Sequence, residues 1–213
     1  MTRTENRKQT LFLVQFSVLL ALEAILCFTI LGSLPIGPIV ATTAMIPIIV
    51  TSILLGTRAG TAMGFFAGLF SFIIWTFMPP PTSAGFAFIF TPFYRLGDYT
   101  GNFWSLVICF VPRMLVGTVS GLLMMFMKKT KLSDKNRIVA YSISACLGSL
   151  TNTFLVIGGI ALFFGAKYAI LMNKALIELI KATIFVNGSL EALMSIIVVS
   201  AICYPIQKYV TKE

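Results

Sequence analysis

Six long apolar runs alternate with short polar segments along this chain. They cover approximately residues 10–32, 38–56, 60–79, 103–127, 138–164 and 184–207. Each run is close to the roughly 20 apolar residues that a helix needs to cross the hydrocarbon core of a bilayer. The pattern predicts an all-α integral membrane protein with six transmembrane helices, forming a single domain over residues 1–213.

Composition and charge support a membrane protein. The chain is 58% hydrophobic and 11% charged, with a mean hydropathy of +0.95. Its net charge of +9 comes from Lys and Arg in the gaps between apolar runs, whereas nucleic-acid binding needs them gathered on one solvated face. The basic amino terminus leads into a run with no convincing cleavage site, which predicts a retained first helix.

The basic residues also predict the orientation. With a cytoplasmic amino terminus, 11 of the 16 Lys and Arg residues fall in cytoplasmic segments, four fall outside and Arg113 lies within a span. The positive-inside rule therefore places both termini in the cytoplasm. The connection 78–102 then lies on the outer face, where its Pro, Gly and aromatic residues favour an ordered cap over a flexible loop. Segment 165–182 has Lys and Glu at helical spacing and is predicted to lie at the membrane interface.

Three ionisable side chains lie inside the spans, namely Glu23, Arg113 and Glu191. A charge at the bilayer centre costs at least about 2.5–3.5 kcal/mol, so these side chains should face the bundle interior and pair. The helical rise puts all three roughly 10–15 Å below the outer end of their spans. We expect Arg113 to be the hub of a charge network with the two carboxylates. The alternative is that Arg113 contacts a ligand directly.

Further polar and aromatic residues lie near the outer face. Asn152 and Asn187 lie in the outer halves of the fifth and sixth spans, and Glu191 follows Asn187 by four residues. They predict either an interhelical hydrogen-bond network or the lining of a solute cavity. The aromatic residues of the cap predict either an interfacial belt or a cover over a ligand, with Arg95 as the cation of the cap.

Small residues recur at helical spacing on three spans. Glycines lie four residues apart in the third and fourth spans, at Gly56, Gly60, Gly64, Gly68, Gly117 and Gly121. Such rows make smooth surfaces that let helices approach closely. The third-span row predicts either packing within the protein or a surface for a partner subunit. Ser17 and Ala21 on the first span offer a second small-residue surface with the same two interpretations.

Catalytic and metal-binding chemistry has little support. The four cysteines lie far apart within apolar runs and the chain has no His, so neither a metal site nor a disulfide framework is predicted. No nucleotide loop of the G-x-x-x-x-G-K-[ST] type is present. We predict a protein that is not an enzyme and has no cofactor. A transporter subunit remains, or a self-contained secondary carrier, although such carriers usually have more spans.

The order of five motifs resembles a known family. The motifs are LGSLPIGPIVATTAMIPIIVTSILLGTRAG, FTPF, NFWSLVICFVPRMLVG, GSLTNTFLVIG and NGSLEAL. Across nearly the whole chain they are similar to the substrate-binding (S) components of energy-coupling factor (ECF) vitamin transporters, most of all the pantothenate-type branch. The resemblance implies a six-helix bundle in a prokaryotic plasma membrane. It also implies high-affinity vitamin binding at the outer face and docking onto one scaffold membrane subunit and two ATPase subunits.

The resemblance also implies where the sites lie. The vitamin would bind among the outer halves of the fourth to sixth spans and the outer loops, which contain Arg95, Asn102, Trp104, Arg113, Asn152, Asn187 and Glu191. Ser17 and Ala21 would contact the scaffold, whereas the other candidate docking surface, Gly56, Gly60, Gly64 and Gly68, rests on glycine spacing alone. Arg95 is the first choice for the carboxylate of pantothenate. Another vitamin, such as cobalamin, remains an alternative.

Overall fold

The fold consists of long apolar helices joined by hairpins and tight turns. The computed structural model describes residues 3–36, 39–80, 84–96, 99–130, 136–172 and 176–209. Its helices are α1 (Arg3–Phe28), α2 (Ile46–Leu55), α3 (Thr57–Phe77), α4 (Phe103–Lys129), α5 (Arg137–Met172), α6 (Leu176–Ala182) and α7 (Ser189–Tyr209). A π-helical turn, Thr183–Gly188, leads into α7, and a 3-10 helix, Ala84–Ile89, lies between α3 and α4.

Two short antiparallel hairpins lie in the outer connections. Strand β1 (Ser33–Ile36) pairs with β2 (Ile39–Thr42) between α1 and α2. Strand β3 (Arg95–Leu96) pairs with β4 (Tyr99–Thr100) just before α4. These strands add to the predicted all-α class without changing it, because the membrane-spanning elements are helices.

Five helical segments of the described chain are long and apolar enough to cross a membrane. They are Glu5–Phe28, Thr57–Phe77, Phe103–Lys129, Arg137–Ile170 and Thr183–Gln207. They confirm the predicted integral membrane bundle. They also show that α5 continues into segment 165–182, so the first part of that segment extends a spanning helix. Lys174 of the same segment lies outside the described residues.

The second predicted span, 38–56, needs a correction. Only the ten residues Ile46–Leu55 of this run are helical, and Ile39–Thr42 form a strand. Ten residues rise about 15 Å, roughly half of the hydrocarbon core. Hydrophobicity alone did not reveal the break, although the preceding Pro-Ile-Gly-Pro sequence favours a turn. Helix α2 is buried from Ile46 to Ile53, so it crosses part of the membrane inside the bundle.

The main core lies where α2 meets α3, α4, α5 and α7. Ile49, Met63, Val116, Tyr141 and Val199 are each 0% exposed there. Helix α1 packs on α3 and α2 with one face. Large apolar side chains of α1 remain exposed on its other side, as expected for a lipid-facing helix.

The glycine row packs inside the bundle. A Cβ atom added to Gly64 would lie 2.8 Å from Met114 Cα, and one added to Gly117 would lie 2.8 Å from Thr61 N. Gly60 and Gly68 are buried in the same way, against Ser52 and Phe110 respectively. The docking interpretation of Gly60, Gly64 and Gly68 is therefore wrong, because these residues already form the contacts of α3 with α2 and α4.

Gly56 has a different role from the rest of the row. It is exposed, has a φ angle of +95° and joins α2 to α3. A side chain at this φ is strained, so glycine is the residue that allows the tight turn. No atom lies within 4 Å of a Cβ built at this position.

Candidate functional site

The outer cap is an ordered structure seated on α4 and α5. The Phe88 side chain is 0% exposed, and its ring lies 5.6 Å from that of Phe164. The carbonyl of Phe88 accepts a 2.7 Å hydrogen bond from Ser105 Oγ at the start of α4. Phe93 and Phe103, by contrast, are 73% and 71% exposed. The cap aromatics thus divide into a group that anchors the cap and a group suited to the membrane interface.

Arg113 lies beneath this cap in the outer half of α4. Its guanidinium carbon is 5.4 Å from the centre of the Phe90 ring, within cation–π range. Phe90 stacks in turn on Trp75, with ring centres 4.9 Å apart. Arg113 Nη1 donates hydrogen bonds of 2.9 and 3.0 Å to the carbonyls of Ile108 and Cys109.

Pro112 explains why Arg113 bonds to its own helix. Proline has no N–H, so the carbonyl of Ile108, four residues earlier, loses its usual helical donor. Arg113 Nη1 supplies the missing donor to this carbonyl. Within the described residues Nε and Nη2 of Arg113 have no hydrogen-bond partner. The half-buried guanidinium therefore keeps unused donors at membrane depth.

The predicted ion pairs of Arg113 are absent from the described part of the chain, so its interpretation as a hub of direct pairs is wrong. Neutral groups bind Glu191 instead. Its Oε1 accepts from the backbone N–H of Thr42 at 3.0 Å, and its Oε2 accepts from Thr153 Oγ1 at 3.1 Å. Arg113 is close enough only for a longer-range attraction to Glu191 and Glu23.

Glu23 is the least satisfied of the three groups. It is 0% exposed on α1, and its Oε1 accepts from the thiol of Cys27 at 3.3 Å. Its Oε2 is buried without a hydrogen-bond partner in the described structure. Burial of such an atom is costly, and Glu23 lacks the hydrogen bonds that stabilise Glu191.

Glu191 links three elements near the outer face by hydrogen bonds. It extends from the first turn of α7 to Thr153 on α5 and to Thr42 at the end of β2. The half-buried Asn152 and Asn187 lie beside this junction in sequence, on α5 and in the π-helical turn. The structure joins Glu191 to Thr153, the neighbour of Asn152 in sequence, and a common site for Asn152, Asn187 and Glu191 stays a prediction.

The remaining predicted residues belong to the cap and the start of α4. The side-chain oxygen Oδ1 of Asn102 accepts a 3.0 Å hydrogen bond from the backbone N–H of Trp104. The backbone N–H of Asn102 donates to Ser105 Oγ at 3.1 Å. Asn102 is therefore the N-cap of α4, a structural use of its side-chain oxygen. Trp104 is 45% exposed and stacks on Phe163 at 4.1 Å. Arg95 is exposed on β3.

Two comparisons with known proteins identify the family. The sequence model of the ECF transporter substrate-specific component matches residues 11–203. The Pantothenic acid transporter PanT of Lactococcus lactis subsp. cremoris (strain MG1363) is 36% identical over 166 residues, which cover 78% of this chain and 76% of the relative. This chain belongs to the substrate-specific components of ECF transporters. The S component is accordingly a multi-pass cell membrane protein and a transport protein without enzymatic activity, as the sequence predicted.

Sequence reasoning missed two groups of this S component. Thr42 contributes a backbone N–H to Glu191, which no side-chain pattern reveals. Thr153 was detectable in principle, because it adjoins Asn152 in the motif GSLTNTFLVIG. The described residues contain no group of three or more His, Cys, Asp or Glu that would hold a metal ion.

The two small residues of α1 are not used for packing within the described structure. Ser17 and Ala21 of the S component are both exposed on α1. They lie on a helix whose other face packs on α2 and α3. This surface is open to a membrane partner, unlike the glycines of α3.

Proposed function

We propose that this S component binds pantothenate at the outer face and delivers it through an ECF module of one scaffold membrane subunit and two ATPase subunits. The relative named for pantothenic acid supports the choice of vitamin. The lack of a nucleotide loop in the sequence supports the need for ATPase partners. The exposed Ser17 and Ala21 are the proposed contact with the scaffold.

The ligand proposal rests on the hydrogen bonding of Arg113. Its Nη1 is bound to its own helix while Nε and Nη2 have no partner within the described chain. Pantothenate has a carboxylate, an amide and two hydroxyl groups. A guanidinium whose Nε and Nη2 have no partner in the described chain suits a carboxylate, and aromatic walls such as Phe90 suit the aliphatic part. We therefore assign the bound carboxylate to Arg113.

The other predicted residues take different positions around the same ligand. Asn152, Asn187 and Glu191 would form a polar wall for the amide and hydroxyl groups. Arg95 and Trp104 would lie at the entrance, where the exposed Arg95 attracts the anion from solution. Asn102 would act indirectly, because it starts α4.

Binding to the purified S component tests this proposal. Pantothenate should bind more tightly than its uncharged alcohol analogue, in which a hydroxymethyl group replaces the carboxylate. A hydrogen bond to a charged group is worth about 1.5–3 kcal/mol, or about 10- to 150-fold in affinity. Arg113→Gln should lower pantothenate affinity by this factor and remove the discrimination between the two ligands.

Arg95→Gln is the matched control for charge. It should slow association of pantothenate and change the ratio of the two affinities by less than Arg113→Gln does, because Arg95 attracts the anion from solution without bonding the bound carboxylate. Loss of discrimination in Arg95→Gln but not in Arg113→Gln would exchange the proposed roles. Binding of cobalamin in place of pantothenate would overturn the choice of vitamin.

Transport in liposomes tests the subunit role. The S component alone should bind pantothenate without accumulating it inside the vesicles. Uptake that depends on the scaffold, both ATPases and ATP is the expected result. Accumulation by the S component alone would instead identify a secondary carrier.

A further inference from the structure

An open cavity lies at the predicted cytoplasmic end of the bundle. It has a volume of about 310 Å³ and lies between the end of α2, the start of α3 and the last turns of α4. Its apolar lining includes Ile53, Leu55, Met124 and Met125, and Lys128 lies at its edge. Lys128 follows Arg113 by 15 residues on α4, a rise of roughly 22 Å. The cavity is therefore separate from the proposed vitamin site.

The cavity is continuous with a lipid-facing surface of α4. Met125, which lines the cavity, is 60% exposed, and the neighbouring Leu122 and Phe126 are 46% and 63% exposed. In a membrane protein such side chains contact acyl chains. An apolar occupant can therefore enter the cavity from the bilayer.

The edge of the cavity is basic. Lys128 is exposed in the last turn of α4, and Lys129, which follows it, is also exposed. Arg58 follows the lining residue Thr57 and is exposed as well. None of the residues that line the cavity is acidic. With both termini in the cytoplasm, this edge lies at the inner leaflet, where basic pockets between helices bind anionic headgroups.

We propose that this cavity binds one anionic phospholipid of the inner leaflet. One acyl chain lies against Leu55 and Met124, and the phosphate of the headgroup lies on Lys128. The apolar floor and the cationic edge fit the two parts of such a lipid. The opening toward the lipid-facing side of α4 gives it a route of entry.

Native mass spectrometry of the full, delipidated protein tests the proposal. The protein is titrated with phosphatidylglycerol or phosphatidylcholine of equal chain length. Wild type should bind one phosphatidylglycerol about fivefold more tightly than phosphatidylcholine, the effect expected for one basic residue at an anionic surface. Lys128→Gln should remove this preference, and Leu55→Trp, which fills the cavity, should weaken binding of both lipids.

The controls separate a specific site from general attraction. Arg137→Gln removes another exposed cation at the cytoplasmic end and should change neither affinity. Glycerol 1-phosphate, which lacks acyl chains, should not displace the lipid. Equal binding of both lipids to wild type, an equal loss in Arg137→Gln and Lys128→Gln, or displacement by glycerol 1-phosphate would overturn the proposal. Because Lys128 is exposed, the Lys128→Gln variant remains informative if Leu55→Trp fails to fold.

Discussion

The contact between α3 and α4 makes a sharp prediction at Gly64. An added Cβ would lie 2.6 Å from the carbonyl carbon of Arg113 and 2.8 Å from Met114 Cα. Both are backbone atoms, so a side-chain rotation cannot relieve the clash. Gly64→Ala must therefore move the two helices apart.

The expected cost follows from the contacts that this movement loosens. A gap of 0.5–1 Å loses about a quarter to a half of each contact energy, and about 40 atom pairs surround a buried side chain at about 0.1–0.2 kcal/mol each. Together they give a loss of about 1–4 kcal/mol, and overpacked cores typically lose about 1–3 kcal/mol. The same movement displaces the backbone of Arg113, so pantothenate affinity should fall as well.

Gly158→Ala is the matched control, because Gly158 also lies inside a helix but has no atom within 4 Å of an added Cβ. Both substitutions gain the same helix propensity, up to about 1 kcal/mol. The difference between their free energies of unfolding, measured by denaturant titration in detergent, therefore isolates packing. We expect Gly64→Ala to be less stable than Gly158→Ala by about 1–3 kcal/mol. Equal stabilities within about 0.5 kcal/mol would refute the assigned contact.

Three further predictions concern the outer site and the docking surface. Glu191→Ala and Thr153→Val should each raise hydrogen exchange of strands β1 and β2, because both remove part of their link to α5 and α7; unchanged exchange would contradict the link. Asn102→Ala should destabilise the protein by about 0.5–2 kcal/mol through loss of the cap of α4, and Asn102→Asp should restore stability; a failure of Asp to restore it would point to another role. Replacing Ser17 and Ala21 together by Leu should reduce co-purification with the scaffold and leave the dissociation constant for pantothenate unchanged, and loss of both properties would indicate a folding defect.

The sequence predicted the membrane class because spanning a bilayer requires long apolar helices. It did not predict that α2 is only ten residues long, since strand β2 and helix α2 form one continuous apolar run in the sequence. The glycine spacing correctly marked a close-packed surface. Spacing alone could not say whether the facing helix belongs to this chain or to a partner.

The charged residues also show that sequence patterns do not identify contact partners. A longer-range attraction links Arg113 to both Glu23 and Glu191. Depth counting placed these three groups near one level in the membrane, which stays a prediction. It missed that Arg113 bonds to the carbonyl exposed by Pro112 and that Thr42 and Thr153 bind Glu191. Competition among neutral hydrogen bonds decides these partners, and several donors are backbone groups.

The sequence by itself thus determined the membrane location, the family and the residues that carry charge into the bilayer, because these depend on hydrophobicity, motif order and residue type along the chain. Only the tertiary structure decided which glycines are covered, which donors bind each carboxylate and which nitrogens of Arg113 lack a partner in the described part of the chain. Those outcomes depend on distances of a few ångströms between segments far apart in sequence. Thr42 and Glu191 are an example, because they are 149 residues apart in sequence and are joined by a 3.0 Å hydrogen bond.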